Sequence, residues 1–264
     1  MNIKNITLAF FSAVALLTSC NEIEEADRLI YVKPAEVKRA VLIEDFTGQG
    51  CVNCPTAINE IHKLQEQYGE NNVIAVGIHS GPFSKIIGTK TYPLWTAEGD
   101  EYYNYWKVQG QPNGVINRAS GVVNYPQWSA LVYDYLQQTS TINLQAATTY
   151  NEETNTMNAS VYIENLIGDY TGKLQLWLIE DGIVGVQYQP DGTKVNDYVH
   201  NHVFRTSVNG TWGEDISMKD GETKTITASY TLKEGWVAKN MSLVAFVYNE
   251  QGVQQAFKVK LIAE

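Results

Sequence analysis

Apolar and polar positions along this chain follow two different periods, and the change falls near residue 140. Before it, apolar runs of strand length are joined by helically spaced segments. Val41–Phe46 is one such run, Thr47-Gly48-Gln49-Gly50 breaks it, and Val73–Ile78 is a second. Between them Ile58, Ile61 and Leu64 recur every three residues and Tyr68 follows four later. That spacing predicts a helix from Val52 to about Tyr68 with one buried face. Strand, helix and strand in this order predict a parallel pair. A helix-like segment around Asp100–Lys107, a short strand Val115–Asn117 and an amphipathic helix from about Gln127 to Gln138 follow.

From about Thr141 the period becomes two. Ile142, Leu144 and Ala146 alternate with mostly polar neighbours, as do Val161 and Ile163, and Leu174, Leu176 and Leu178. Ile226, Ala228 and Tyr230 do the same, then Leu243, Ala245 and Val247, then Phe257, Val259 and Leu261. Gly, Asn and Asp turns separate the runs, so this half is expected to be all-β, an immunoglobulin-like sandwich of about seven or eight strands.

Chemistry concentrates where the first strand gives way to the first helix. Cys51 and Cys54 stand three apart there and can close a small disulfide ring. A cysteine at a helix start lies near the positive end of the dipole and beside unpaired N–H groups, which favour thiolate. Cys51 is therefore the candidate nucleophile and Cys54 the candidate resolving thiol; a purely structural disulfide is the competing reading. Pro55 suits a first helical turn, where a missing N–H costs little.

The segment from about Ala40 to Ser140 resembles the thioredoxin-like fold in three respects. A C-x-x-C opens a helix after a buried strand, Gly110-Gln111-Pro112 leads into a strand, and an acid, Asp45, precedes the first cysteine by six residues. The resemblance implies a cis Pro112 facing the disulfide and makes Asp45 the buried carboxylate that handles the proton of the resolving thiol, although Glu44 next door could take that role. Gly50 before the first cysteine, Val52-Asn53 between the two and Pro55 after them depart from thioredoxins proper, so docking and redox poise do not carry over. Gln111 could bond a bound peptide or face water.

The amino terminus adds a location. Lys4 precedes an apolar stretch from Ile6 to Leu17, too short and too early for a membrane span, and Leu17-Thr18-Ser19-Cys20 follows. This resembles a bacterial lipoprotein signal, which implies cleavage before Cys20 and membrane attachment through lipid on that residue. Of three cysteines only Cys51 and Cys54 then remain. Removing residues 1–19 deletes one charged side chain, Lys4, and takes the formal charge from −10 to −11. So acidic a chain argues against nucleic acid as a partner. Asn21-Glu22-Ile23-Glu24-Glu25 reads as a tether, and also resembles an acidic export signal to the outer face.

Two further groups carry less. His200 and His202 would share a strand face and could share a metal, but no third ligand stands nearby, so no metal and no cofactor is assigned. His62 and His79 read as structural. Tyr92, Trp95, Tyr102, Tyr103, Tyr105 and Trp106 form an aromatic-rich segment, mostly core, part of which could line a groove.

Taken whole, the chain resembles the twenty-eight-kilodalton outer-membrane lipoprotein family of Bacteroidetes-type bacteria. The expected plan is a signal peptide at 1–19, an acidic tether at 20–39, an α/β thioredoxin-like domain at 40–140 and an immunoglobulin-like β-sandwich at 141–264. The expected location is the outer membrane, lipid-anchored, on its periplasmic or outer face. Two functions stand: thiol–disulfide exchange through Cys51 and Cys54 on exported proteins or peptides, or surface binding and adhesion on a scaffold with an inert disulfide.

Overall fold

The computed structural model describes residues 37–85 and 94–262; Cys20, the tether up to residue 36 and Tyr92 lie outside them. Strands β1 (Val37–Lys38) and β2 (Val41–Thr47) lead to helix α1 (Cys54–Tyr68) and strand β3 (Val73–His79). Helix α2 (Ala97–Tyr105), strands β4 (Asn113–Ile116) and β5 (Val122–Asn124) and helix α3 (Trp128–Leu136) follow. Then come β6 (Thr139–Ser140), β7 (Ile142–Asn151), β8 (Thr156–Asn165), β9 (Tyr170–Glu180), β10 (Ile183–Tyr188) and β11 (Lys194–His200). The last are β12 (Val203–Ser207), β13 (Glu214–Met218), β14 (Thr223–Thr231), β15 (Met241–Asn249) and β16 (Gly252–Lys260).

β2 and β3 are buried along their whole length and pair in parallel, Val41 opposite Val73 through Thr47 opposite His79. The helix between them starts at Cys54 rather than Val52. Pro55 occupies its first turn, and Gly69, at φ 90°, ends it with its N–H on the Gln65 carbonyl. Ala57, Ile61 and Leu64 bury against Val41, Ile43, Val73 and Ala75, with Trp128 and Val132 of α3 in the same cluster. Successive β2 side chains take opposite faces of the sheet. Leu42 and Phe46 enter a second core with Val76, Tyr102, Trp177 and Phe246.

The expected fold class, an α/β thioredoxin-like domain followed by an immunoglobulin-like sandwich, is corrected by this architecture. Strands hold 49% of the described residues and helices 18%, distributed over several sheets. A nine-stranded sheet runs β16-β15-β9-β12-β3-β2-β4-β5, with β13 also on β9. β12 meets β3 at Val203 and Gly77, where the Gly77 N–H donates to the His202 carbonyl at 2.8 Å. The physical reason is the C-terminal strands' supply of pairing edges: a strand beside β3 extends the sheet where an independent α/β layer would end. β9 and β15 are consequently covered on both faces. Leu174, Leu176 and Leu178 pack with Leu144, Val161 and Ile163 of the separate β14-β8-β7 sheet, whereas Trp177 and Ile179 pack on the opposite side. One sheet thus packs on another around this first cluster.

Candidate functional site

The loop from Thr47 to Cys54 leaves the C-terminal end of β2, where open sheets commonly present functional groups. Its shape is fixed by close backbone approach. A Cβ on Gly48 would stand 2.5 Å from the Phe83 carbonyl carbon, and the Gly50 N–H donates to the Phe83 carbonyl at 2.8 Å. Gln111 ties the ends of the two parallel strands together, its Nε2 donating to the Thr47 carbonyl at 2.6 Å and to the Ser80 carbonyl at 3.0 Å. The amide is thus engaged by backbone, and its Oε1 is buried without a partner among the described residues. The Gln111–Pro112 peptide is cis, directly before β4.

Cys51 and Cys54 are joined in a disulfide with Cα atoms 5.4 Å apart. Because the helix begins at Cys54, that residue rather than Cys51 occupies its first turn; Cys51 sits in the preceding turn, its N–H on the Gly48 carbonyl at 3.0 Å. The two residues are only 2% and 0% exposed. What covers them is the two-stranded β10–β11 hairpin. Gln187 Nε2 donates to the Cys51 carbonyl at 2.9 Å, Gln49 Nε2 donates to the Val186 carbonyl at 2.9 Å, and the Tyr188 N–H donates to the Gln49 carbonyl at 2.9 Å. Among the described residues the hairpin pairs with no other sheet, and Val184 and Val199 on it face solvent.

Glu44 and Asp45, interchangeable in the sequence, part company in the fold. Glu44 meets Arg118, whose Nε donates to its Oε1 at 2.8 Å, and both side chains are buried. Burial pushes the Glu44 carboxyl above its ordinary range, with Arg118 opposing the shift. Asp45 points to the α1 side, where burial alone pushes its pKa up to about 8. Its Oδ1 has no partner among the described residues. It borders a cavity of about 20 Å³ with Ile58, Ile61, His79 and His200, room for about one water. Cys54 stands one turn before Ile58 on that stripe of α1.

The histidines separate in an unexpected way. β11 ends at His200, and His202 takes a positive φ of 57°, so the alternation that would have placed both on one face is broken. His200 turns to His79, ring centroids 5.3 Å apart, and its Nε2 lies 3.2 Å from the Val186 carbonyl. His202 binds Asp181 and faces His62 at 6.4 Å. Burial holds His79 well below its ordinary pKa and takes His200 down to about 4, so both are neutral near pH 7. Among the described residues no group of three or more His, Cys, Asp or Glu is placed to hold a metal ion. The one sequence signal for His79 beside this cavity is its place at the end of a buried strand next to the loop. The aromatic segment divides as well. Tyr102 is core, Tyr103 packs on Phe46, and Tyr105 is exposed.

With this geometry in view, comparison with known proteins defines the class as an outer-membrane protein. The profile of the family described as Outer membrane protein Omp28 matches residues 99–263, and the chain belongs to that family. Among solved structures, HBP35 of Porphyromonas gingivalis is 18% identical over 85% of this chain and 76% of its own, with a TM-score of 0.65, a likeness of fold. A domain of the outer membrane lipoprotein Omp28 from Porphyromonas gingivalis is 29% identical over 46% of this chain and 88% of its own, with a TM-score of 0.34. No curated protein matches the chain. The protein is therefore assigned to the outer membrane, and among the described residues no helix is long and apolar enough to cross a membrane.

Proposed function

We propose that this outer-membrane lipoprotein carries an exchangeable disulfide, Cys51–Cys54, guarded by the β10–β11 hairpin, and that lipid on Cys20 anchors it. In the reduced form the Cys51 thiolate attacks one sulfur of a substrate disulfide, forming a mixed disulfide and releasing one substrate thiolate. Asp45, in its ionised form, then takes the Cys54 proton, and the Cys54 thiolate attacks the Cys51 sulfur, releasing the second substrate thiolate, which takes up a proton from water. The chain's dithiol is oxidised and the substrate's disulfide is reduced; run backwards, the same steps oxidise a substrate dithiol. The observation that carries this reading is Asp45. A buried carboxyl with an unpartnered oxygen costs stability, and a disulfide that only braces a loop needs no such group beside its helix.

A second reading, a binding or adhesion lipoprotein with an inert disulfide, is favoured by one observation: both cysteines are covered. Trapping separates the two. Full-length Cys54→Ser, incubated with envelope extract, retains the attacking thiol and lacks the resolving one, so exchange predicts a mixed disulfide through Cys51 that a reductant releases. No adduct from Cys54→Ser, in extracts where a small disulfide such as oxidised glutathione also fails to react, would overturn the exchange reading.

A further inference from the structure

On the face of β2 opposite the disulfide lies a groove between α2, the β4–β5 turn and the β12–β13 loop. Its volume is about 500 Å³, and it adjoins a second hollow of about 540 Å³ that shares Tyr105, Lys173 and Tyr248 with it. Both are in the size range of small-ligand sites. Three aromatic rings form the wall. Tyr105, 62% exposed, stands 4.4 Å from Trp212 and 5.1 Å from Trp106, centroid to centroid. An exposed tyrosine set against two tryptophans gains less from burial than a core position would give it.

The wall is held in place by groups committed to that task. Tyr248 Oη donates to the Trp212 carbonyl at 2.7 Å, and Tyr102 Oη donates to the neighbouring Thr211 carbonyl. Gln175 Nε2 donates to the Gly210 carbonyl at 2.9 Å, and Asn209 Nδ2 to the Leu174 carbonyl at 2.9 Å. The Trp212 loop is therefore fixed before any ligand arrives, which lowers the ordering cost of binding.

The floor is Arg118. Its side chain is buried, its Nε is bonded to Glu44, and its ring neighbours include Tyr248 at 4.4 Å and Trp212 at 5.7 Å. The Tyr248 phenol lies against the guanidinium, yet Nη1 and Nη2 make no hydrogen bond of acceptable geometry to any described residue. Buried nitrogens of this kind are ordinarily bonded. Arg118 and the preceding Asn117 both have positive φ, 53° and 51°, in the turn after β4. A glycine would be easier at such a position, so Arg118 sits there at a conformational cost.

We propose that this groove binds a neutral saccharide. A pyranose ring offers an apolar C–H face to aromatic rings and hydroxyls at its edge, and the groove offers the counterpart of each. The charges decide against an anion. Arg118 is balanced by Glu44, Lys173 is bonded to Asp215 at 2.6 Å, and Glu250 lies on the rim. A polyanion meets no net positive field there, and the chain as a whole is acidic at −10. This site is independent of the disulfide chemistry.

The test is calorimetric titration of the full chain, in a sugar-free detergent, with maltoheptaose, cellohexaose, chitohexaose and polygalacturonate. At least one neutral oligosaccharide should bind, and Tyr105→Ala, a surface change that spares the fold, should weaken it about tenfold, the loss of one aromatic contact. Trp212→Ala should weaken it at least as much. No neutral oligosaccharide bound, binding of polygalacturonate alone, or binding that Tyr105→Ala leaves intact would each overturn the proposal.

Discussion

Replacing Asp45 by asparagine should change how the oxidised protein's stability depends on pH, in a window set by the surrounding cavity. The carboxyl titrates near 3.8 when exposed and near 8 in the fold, shifted by burial. Between those values the native chain keeps a proton that the unfolded chain has released. Each pH unit therefore costs the native state about 1.4 kcal/mol, with a ceiling of about 5–6 kcal/mol across the window. His79 and His200 act in the opposite sense. Both are neutral when folded and protonate near 6.5 when unfolded, so each makes stability rise with pH up to about 6.5, His200 from about 4. Two rising contributions outweigh one falling contribution below pH 6.5, and Asp45 dominates above it. Wild type should peak near pH 6.5 and lose about 1 kcal/mol by pH 8, whereas Asp45→Asn should rise slightly over that interval, the two curves parting by about 1.6 kcal/mol. Urea unfolding of both proteins at half-unit steps from pH 5 to 8 gives the curves. Parallel curves between pH 6.5 and 8 would refute the reasoning, because Asp45 would then already be ionised in the fold.

Gln187→Ala removes the hydrogen bond from the hairpin to the Cys51 carbonyl and the longer one to Gly48. Two bonds at about 1 kcal/mol each should make dithiothreitol reduce the disulfide roughly tenfold faster or more; an unchanged rate would mean that the hairpin does not guard it. Glu44→Gln leaves Arg118 buried without its counter-charge and should cost about 3–5 kcal/mol in urea unfolding, and a loss under about 1 kcal/mol would contradict the pairing. Cys20→Ala should move the protein from the membrane to the soluble fraction on cell fractionation, and retention in the membrane would argue for another anchor.

Much of the local structure was legible in the sequence. The buried pair β2 and β3, the helix between them and the long alternating strands after residue 141 follow from hydrophobic period alone, because each element buries its face wherever its partner comes from. The pairing of distant strands was not. Nothing in the run Val203–Phe204 or in Gly77 announces that they meet, and that contact makes a mostly β sheet out of a segment read as α/β. Helix starts escaped by a few residues, because Pro55 favours a first turn but does not say whether Cys51 or Cys54 opens it. The candidate site shows the same division. Cys51, Cys54 and Asp45 were marked by type and spacing, whereas the roles of Glu44 and Asp45 separated only when strand alternation gave one to Arg118 and the other to the cavity. His79 and His200 came together through tertiary packing across 121 positions of chain. The covering hairpin was invisible for the same reason: its side chains read as an ordinary strand pair until Gln187 is seen on the Cys51 carbonyl.

The reduction potential of the Cys51–Cys54 pair, measured by equilibration of the full-length protein with glutathione buffers, bears most directly on whether this disulfide exchanges. An exchange centre should lie between about −270 and −120 mV, the span of known exchangers, and Gln187→Ala should leave the potential within that span while speeding the approach to equilibrium. A potential below about −300 mV would contradict the proposal and mark the pair as a structural bond.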